Sequence, residues 1–258
     1  MRAKFYYMAL EPEAQELADE MERSLTEIAI AFGHSFLMKP VSLEDILAIA
    51  DDENTVPLLL NTEGTLPAGV DCFAVKRSFL YEACRCDVYC PAQKNDAVQQ
   101  QLFDYAARNL LPAPVISDED GAERIASLIR SPEKVPISVC GYTAGVYLQA
   151  AAMSLMGNEP LIFETLIGKR RPILSVSKSA MPLYAHYYAL AEGLETLLNL
   201  HREANCLRTT VRNVCSAGWR TKPSNEEQVQ VGTVKEICAL INEQLSLVGE
   251  MMNHDMIR

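Results

Sequence analysis

The stretch that decides the fold class is PISVCGYTAGVYLQAAAMSLMG, residues 136–157. A short apolar run comes first, the polar turn residues Gly141, Thr143 and Gly145 follow, and the rest favours a helix that opens at Val146. This order predicts a strand, a tight turn and a helix. Ligands bind at such corners in open α/β sheets, yet the first turn of this predicted helix has no charged residue.

Segments that favour strands alternate with segments that favour helices on both sides of this corner. The predicted strands are residues 4–10, 34–41, 56–61, 70–77, 86–92, 136–141 and 171–176, with a short last one at 229–232. The predicted helices are residues 17–32, 42–50, 95–110, 117–130, 146–157 and 181–205, and a last one that begins at the capping box Thr233-x-x-Glu236. This alternation, without repeats or linkers, predicts an α/β fold with a largely parallel sheet.

Composition excludes several classes of protein. The chain has 258 residues, 49% of them hydrophobic, and a mean hydropathy of zero, which suits a globular protein. No apolar run approaches the roughly 18 residues of a spanning helix, and the N-terminal residues do not have the form of an export signal. We therefore expect a cytoplasmic protein. The net charge of −11 argues against nucleic-acid or anionic membrane partners.

Metal and nucleophile motifs are weak. The cluster Cys84-x-Cys86-x3-Cys90 matches no common zinc pattern, so we interpret it as buried thiols of a strand rather than a metal site. Cys140 is interpreted as a core residue, with a catalytic nucleophile as the alternative. The four histidines are scattered and no Gly-rich phosphate loop is present. We expect no bound metal.

Basic residues are the best candidates for ligand contacts. Lys76, Arg77 and Arg85 flank two predicted strands, and Lys169 to Arg171 precede another. Either set could face an anionic ligand at the end of the sheet. The alternative for Lys169 to Arg171 is a solvated turn.

Several segments resemble the isopropylmalate and isocitrate dehydrogenase family, in the family's order. AEGLETLLNLHREANCLRTTVRNVCSAGWRTKP (191–223) and VQVGTVKEICALINEQL (229–245) resemble its C-terminal end. GVDCFAVKR (69–77), IASLIRSPEKVPISVCGYTAGVYLQAAAM (125–153) and IGKRRPILSVSKSAM (167–181) resemble earlier segments. The resemblance implies a three-layer isopropylmalate-dehydrogenase-like fold with a mixed, largely parallel sheet. It also implies a large domain of residues 1–76 plus 158–258 and a shortened small domain of residues 77–157.

The resemblance also suggests which residues contact ligands. It places Arg77 on an arginine that grips substrate carboxylates, with Lys76 and Arg85 as neighbouring substrate-binding candidates. Gly168 and Lys169 are what remains of the family's cofactor-binding loop.

Family chemistry is metal-dependent oxidation and decarboxylation of a 2-hydroxy acid with NAD(P). Two metal-binding carboxylates of the family stand four residues apart on a helix, at positions that are Val146 and Ala150 here. The catalytic tyrosine and lysine have no counterpart that we can place. NAD and Mg²⁺ are the family's cofactors, but their motifs are missing, so we expect neither.

The hypothesis is therefore a degenerate, shortened member that has lost metal-dependent oxidative decarboxylation, a pseudoenzyme that binds a small anion or a partner protein. One alternative is an enzyme with metal-independent chemistry on a carboxylate or phosphate. Others are a divergent NAD-dependent 2-hydroxy acid dehydrogenase and an unrelated α/β protein. The apolar stripe from Ala150 to Met156 suggests a homodimer, or equally an intramolecular core.

Overall fold

The computed structural model divides the chain into two compact units. It describes residues 1–9, 12–49, 53–60, 71–81, 84–111, 115, 118–131, 137–155, 161–176, 181–222 and 229–255. Unit 1 comprises residues 1–64, 174–176 and 181–258, and unit 2 comprises residues 65–173 and 177–180. The predicted domains, residues 1–76 plus 158–258 and residues 77–157, stay a prediction.

Unit 1 contains a parallel group of strands with helices packed on it. Its strands, in the spatial order β2-β1-β3-β8, are β1 (Arg2–Ala9), β2 (Ser35–Pro40), β3 (Thr55–Leu60) and β8 (Ile173–Ser175). Its helices are α1 (Pro12–Phe32), α2 (Leu43–Ala48), α6 (Pro182–Glu192), α7 (His201–Ser216) and α8 (Val234–Asp255). The short strands β9 (Trp219–Arg220) and β10 (Gln230–Val231) pair in parallel by themselves. Strand β3 is buried along its whole length, which is typical of a strand covered on both faces.

Unit 2 contains a mixed group of four strands, in the order β7-β4-β5-β6. They are β4 (Ala74–Tyr81), β5 (Cys84–Pro91), β6 (Ile137–Ser138) and β7 (Leu161–Ile167). Strand β4 is antiparallel to both β5 and β7, whereas β5 and β6 are parallel. The helices are α3 (Asp96–Arg108), α4 (Asp118–Arg130) and α5 (Tyr142–Leu155). The predicted α/β class with a mixed, largely parallel sheet is confirmed.

Both predicted helix caps are present. The backbone N–H of Glu236 donates to the hydroxyl of Thr233 at 3.2 Å, and the backbone N–H of Thr233 donates to the Glu236 carboxylate at 2.8 Å. Ser42 likewise accepts from the backbone N–H of Asp45. None of the helices in the described ranges is long and apolar enough to cross a membrane.

Strand β7 is an element that the sequence prediction missed. It comes directly before Gly168 and Lys169, and every residue of Leu161–Ile167 is buried. A strand covered on both faces is apolar without alternation, so the pattern LIFETLI has no period-two signal. The strand predicted at residues 70–77 is also displaced, because β4 begins at Ala74.

Three helix predictions differ from the structure in their bounds. Helix α1 begins at Pro12 rather than at residue 17. Helix α5 begins at Tyr142 rather than Val146, because Gly145 serves close helix packing and not a turn. The helix predicted over residues 181–205 is interrupted by a π-helical turn, Gly193–Leu197, and by Asn199, whose φ of 58° is left-handed. A side chain at Gly193 would lie 2.6 Å from Val56, which explains the glycine there.

Some predicted positions lie outside the described residues. They include the ends of predicted strands and helices and the last residue of the apolar stripe, namely Leu10, Ala50, Asn61, Val70, Ser117, Pro136 and Met156. The side chain of Cys84 is outside them too.

Candidate functional site

The candidate site of unit 2 centres on Arg77 of β4. The register places Arg77 opposite Glu164 of β7, so the two side chains share one face of the sheet. Arg77 Nε donates to Glu164 Oε1 at 2.5 Å, and Arg77 Nη1 donates to the side-chain oxygen of Gln149 on α5. Strands beneath α5 therefore supply the charge that the helix itself lacks.

Helix α5 approaches the strands closely at this point. Gly145 and Gln149 lie four residues apart and so share a helical face. A Cβ atom at Gly145 would lie 2.8 Å from the Cβ of Cys90 on β5. The glycine lets Gln149 reach the sheet, where its amide donates to the Cys90 thiol and its oxygen accepts from Arg77. Gln149 thus fixes the position of the guanidinium.

Burial and charge set the ionisation of the site. Burial acts to lower the pKa of Arg77, but the charge and hydrogen bond of Glu164 outweigh it and the pKa is raised. Arg77 is therefore a permanent cation. Burial raises the pKa of Cys90 to about 11, so its thiol is protonated at neutral pH.

The predicted core thiols are confirmed for three cysteines. Cys86, Cys90 and Cys140 are buried and free. Burial raises the pKa to about 12 for Cys86 and to about 11 for Cys140. Neither thiol has the lowered pKa of a nucleophile.

Glu164 and Arg77 differ sharply in exposure. The Glu164 side chain is 0% exposed, and its Oε2 atom has no hydrogen-bond partner among the described residues. Arg77 is 29% exposed, and its Nη2 takes part in neither of the hydrogen bonds to Glu164 and Gln149. The site is a cation that is half open to solvent and is backed by a buried carboxylate.

Lys76 and Arg85 do not join Arg77. Lys76 lies opposite Tyr89 and Thr165, on the other face of β4. Arg85 Nε donates to Asp87 at 2.8 Å, and its guanidinium lies 5.6 Å from the centre of the Phe163 ring. Their predicted substrate-binding roles stay predictions.

Gly168 and Lys169 follow the end of β7. A Cβ atom at Gly168 would lie 2.6 Å from the carbonyl oxygen of Asp71, so the backbone approach there requires glycine. Lys169 is exposed. Their cofactor-binding role also stays a prediction.

The two positions aligned with metal ligands share a face of α5. Val146 and Ala150 are four residues apart and both exposed, and neither side chain can bind a metal ion. Within the described ranges, no group of three His, Cys, Asp or Glu residues could hold one.

Glu164 and Gln149 are the site residues that sequence reasoning missed. Glu164 is the one acidic residue within the apolar segment LIFETLI. A lone acid in a buried strand indicates a buried ion pair, and this signal would have identified Glu164 if the strand had been predicted. Gln149 gave no comparable signal.

Comparison with known proteins supports the fold. No protein-family model and no curated protein sequence matches the chain. A solved structure does match, the crystal structure of isocitrate dehydrogenase from Methylococcus capsulatus, with a TM-score of 0.62 and 13% sequence identity. The match covers 95% of this chain and 99% of that chain. The chain has an isocitrate-dehydrogenase-like fold.

Proposed function

We propose that the chain binds a small anion, a carboxylate or a phosphate, through Arg77, on an isocitrate-dehydrogenase-like scaffold that does not carry out metal-dependent oxidative decarboxylation. The observation behind this proposal is the half-exposed Arg77, held by Gln149 and Glu164. A planar guanidinium with free N–H groups is suited to carboxylate and phosphate oxygens.

The buried partner limits the affinity of this site. Glu164 neutralises much of the charge of Arg77, since their atoms are 2.5 Å apart. An incoming anion meets a nearly neutral pair and one outward-facing edge of the guanidinium. We therefore expect binding to be weak in the parent chain and to increase when the charge of Glu164 is removed.

Two exposed residues of α5 support the proposed loss of metal-dependent oxidative decarboxylation. Val146 and Ala150 occupy the positions that the resemblance assigns to metal-binding carboxylates. Mg²⁺ requires oxygen ligands, most often carboxylates with water. Without these two side chains the hydroxyl of a 2-hydroxy acid would not be polarised by a metal at this place.

A second candidate function is metal-independent chemistry on a carboxylate or phosphate. The observation that favours it is that Arg77 contacts Gln149 of α5, a helix whose first turn, from Tyr142, has no acidic residue. The N-terminus of a helix adds positive potential there. Acyl transfer to phosphate is a reaction that such a site can support without a metal.

Calorimetry and turnover assays distinguish these functions. The full chain is titrated with Mg²⁺, NAD, NADP and 2-hydroxy and 2-oxo di- and tricarboxylates, and NAD(P)H formation is followed with Mg²⁺ present. We expect heat from the carboxylates alone and no reduced cofactor. Metal-dependent formation of NAD(P)H would contradict the proposal. Turnover of an acyl phosphate added without metal, measured separately, would favour the second candidate.

A homodimer is proposed from the exposed apolar side chains of the packed helices α4 and α5. Ile129, Val146, Tyr147 and Met153 are exposed there, Tyr147 by 59%. Apolar groups of this size commonly mark an interface. Light scattering should give a dimer mass for the parent and a monomer mass for Tyr147→Glu. Leu37→Glu, an exposed residue of β2, is the control; a monomeric parent would contradict the proposal.

A further inference from the structure

A polar cavity lies between helices α1 and α8 of unit 1. Its volume is about 380 Å³, and small-molecule sites typically measure roughly 300–1,000 Å³. Four of the residues that line it are charged, namely Glu20, Arg23, Glu27 and Lys235. Their formal charges cancel. The cavity is therefore suited to a ligand with charges of both signs rather than to a simple anion or cation.

Glu20 supplies a buried carboxylate to this cavity. Its side chain is 5% exposed, and Arg23 Nη1 donates to its Oε1 atom at 2.9 Å. The Oε2 atom takes part in none of the hydrogen bonds between the described residues. The Arg23 side chain is 62% exposed, so solvent weakens this ion pair. A buried carboxylate with one unused oxygen favours a donor that carries positive charge.

Asn242 supplies a fixed hydrogen-bond donor to the same cavity. Its Oδ1 atom accepts from the hydroxyl of Ser24, which lies 3.0 Å from the hydroxyl of Tyr187. Ser24 and Tyr187 are fully buried, so these hydrogen bonds hold the amide in one orientation. The other end of the amide, Nδ2, has two N–H donors that a ligand can use.

Lys235 supplies an ammonium beside that amide. Lys235 precedes Asn242 by about two helical turns, so both side chains lie on one face of α8. Lys235 is exposed and takes part in none of the ion pairs between the described residues. It lies in the first turn of α8, where the helix dipole adds positive potential. A carboxylate is favoured at this end of the cavity.

We propose that this cavity binds a small amino acid in its zwitterionic form. The ligand ammonium donates to Glu20 Oε2, and the ligand carboxylate accepts from Asn242 Nδ2 and from the ammonium of Lys235. A simple anion would meet the Glu20 carboxylate, and a simple cation would meet Lys235. The arrangement therefore selects against both.

This site is independent of the proposed anion site. The cavity belongs to unit 1, whereas Arg77 belongs to unit 2. Arg77 recognises a negative charge alone, but the cavity requires charges of both signs. An amino acid and the 2-hydroxy acid of the same size therefore distinguish the two sites. Failure of the Arg77 proposal would leave this one in place.

The test is calorimetry of the full chain with matched small probes at neutral pH. L-Alanine and β-alanine are zwitterions that differ in the separation of their two charges. L-Lactate lacks the ammonium, and L-alaninamide lacks the carboxylate. We expect the parent to bind at least one of the zwitterions, about tenfold more tightly than it binds L-lactate or L-alaninamide, because each of these leaves one charged group of the cavity without its partner.

Three substitutions remove the groups of the cavity one at a time. Glu20→Gln removes the carboxylate charge but keeps an acceptor for Arg23, Asn242→Asp removes the donor, and Lys235→Met removes the ammonium. Each should weaken binding of the zwitterion by about tenfold. Glu22→Gln is the matched control and should bind like the parent, because Glu22 is an exposed carboxylate of α1 that does not line the cavity.

The double variant Arg77→Gln/Glu164→Gln should also bind the zwitterion like the parent. The proposal is overturned if neither zwitterion binds the parent, if L-lactate or L-alaninamide binds as tightly, or if the cavity variants bind like the parent. It is also overturned if the double variant alone loses binding. Lys235→Met decides the outcome if Glu20→Gln does not fold, because Lys235 is exposed.

Discussion

At the residue scale, Gly145 determines how closely α5 approaches the sheet. An alanine there gains up to about 1 kcal/mol in helix propensity, but its Cβ would lie 2.8 Å from that of Cys90. Overpacking of this kind destabilises by about 1–3 kcal/mol, so we expect Gly145→Ala to lower the free energy of unfolding. Urea denaturation measures the change.

Gly249→Ala is the matched control for that prediction. Gly249 also lies in a helix, α8, but the nearest atom to a new Cβ is 3.4 Å away, on Ala31. This substitution should be neutral or stabilising by up to about 1 kcal/mol. Equal effects of the two substitutions would show that α5 does not pack tightly on Cys90.

His186 is a buried histidine that makes stability depend on pH. Burial lowers its pKa from the ordinary 6.5 to about 4, although the hydrogen bond to the Pro182 carbonyl acts in the opposite direction. Because the pKa is lower in the folded state, the stabilisation is present above pH 6.5 and is lost as the pH falls towards 4. The loss amounts to roughly 3 kcal/mol.

Denaturation between pH 7 and pH 4 measures the contribution of His186. The variant His186→Asn keeps a donor for the Pro182 carbonyl but cannot gain a charge, so its loss in acid should be smaller than that of the parent. A His186→Asn profile that overlays the parent would refute this role.

At the element scale, local patterns predicted the starts of the two helices that a side chain caps. The caps at Ser42 and Thr233 depend on side chains within three residues, and both are present. The interruption before α7 depends on distant contacts, since Gly193 lies against Val56 and Leu174. Strand β7 was missed for the same reason. Its burial on both faces is set by elements far away in the sequence.

The capping box of α8 provides a prediction at this scale. Hydrogen bonds from the Thr233 backbone and hydroxyl lower the pKa of Glu236. Because the pKa of Glu236 is lower in the folded state, its carboxylate stabilises the fold at pH values above 4.5, the pKa in the unfolded chain. This contribution is lost as the pH falls through the pKa of the folded state. Thr233→Ala should lower the free energy of unfolding by about 1 kcal/mol at pH 7.

The same variant should also reduce the loss of stability below pH 4.5. Glu250→Gln, which removes an exposed carboxylate of the same helix, is the control and should behave like the parent. An unchanged stability of Thr233→Ala at pH 7 would contradict the cap. Guanidinium denaturation at pH 7 and at a pH below 4.5 measures both effects.

At the scale of the whole molecule, the order of elements identified the fold although no single motif was intact. The α/β alternation and the family resemblance both agree with the isocitrate-dehydrogenase-like fold. The site was only partly predictable. Arg77 was identified from the sequence, but Glu164 and Gln149 become its partners through strand register and helix packing. Those depend on contacts between residues more than seventy positions apart.

The most direct test of the account is the phosphate affinity of three chains, measured by calorimetry at equal ionic strength. They are the parent, Glu164→Gln and the double variant Arg77→Gln/Glu164→Gln. We predict that Glu164→Gln binds several times more tightly than the parent, because Arg77 is no longer neutralised, and that the double variant loses this gain. Equal affinities in all three chains would contradict an anion site at Arg77.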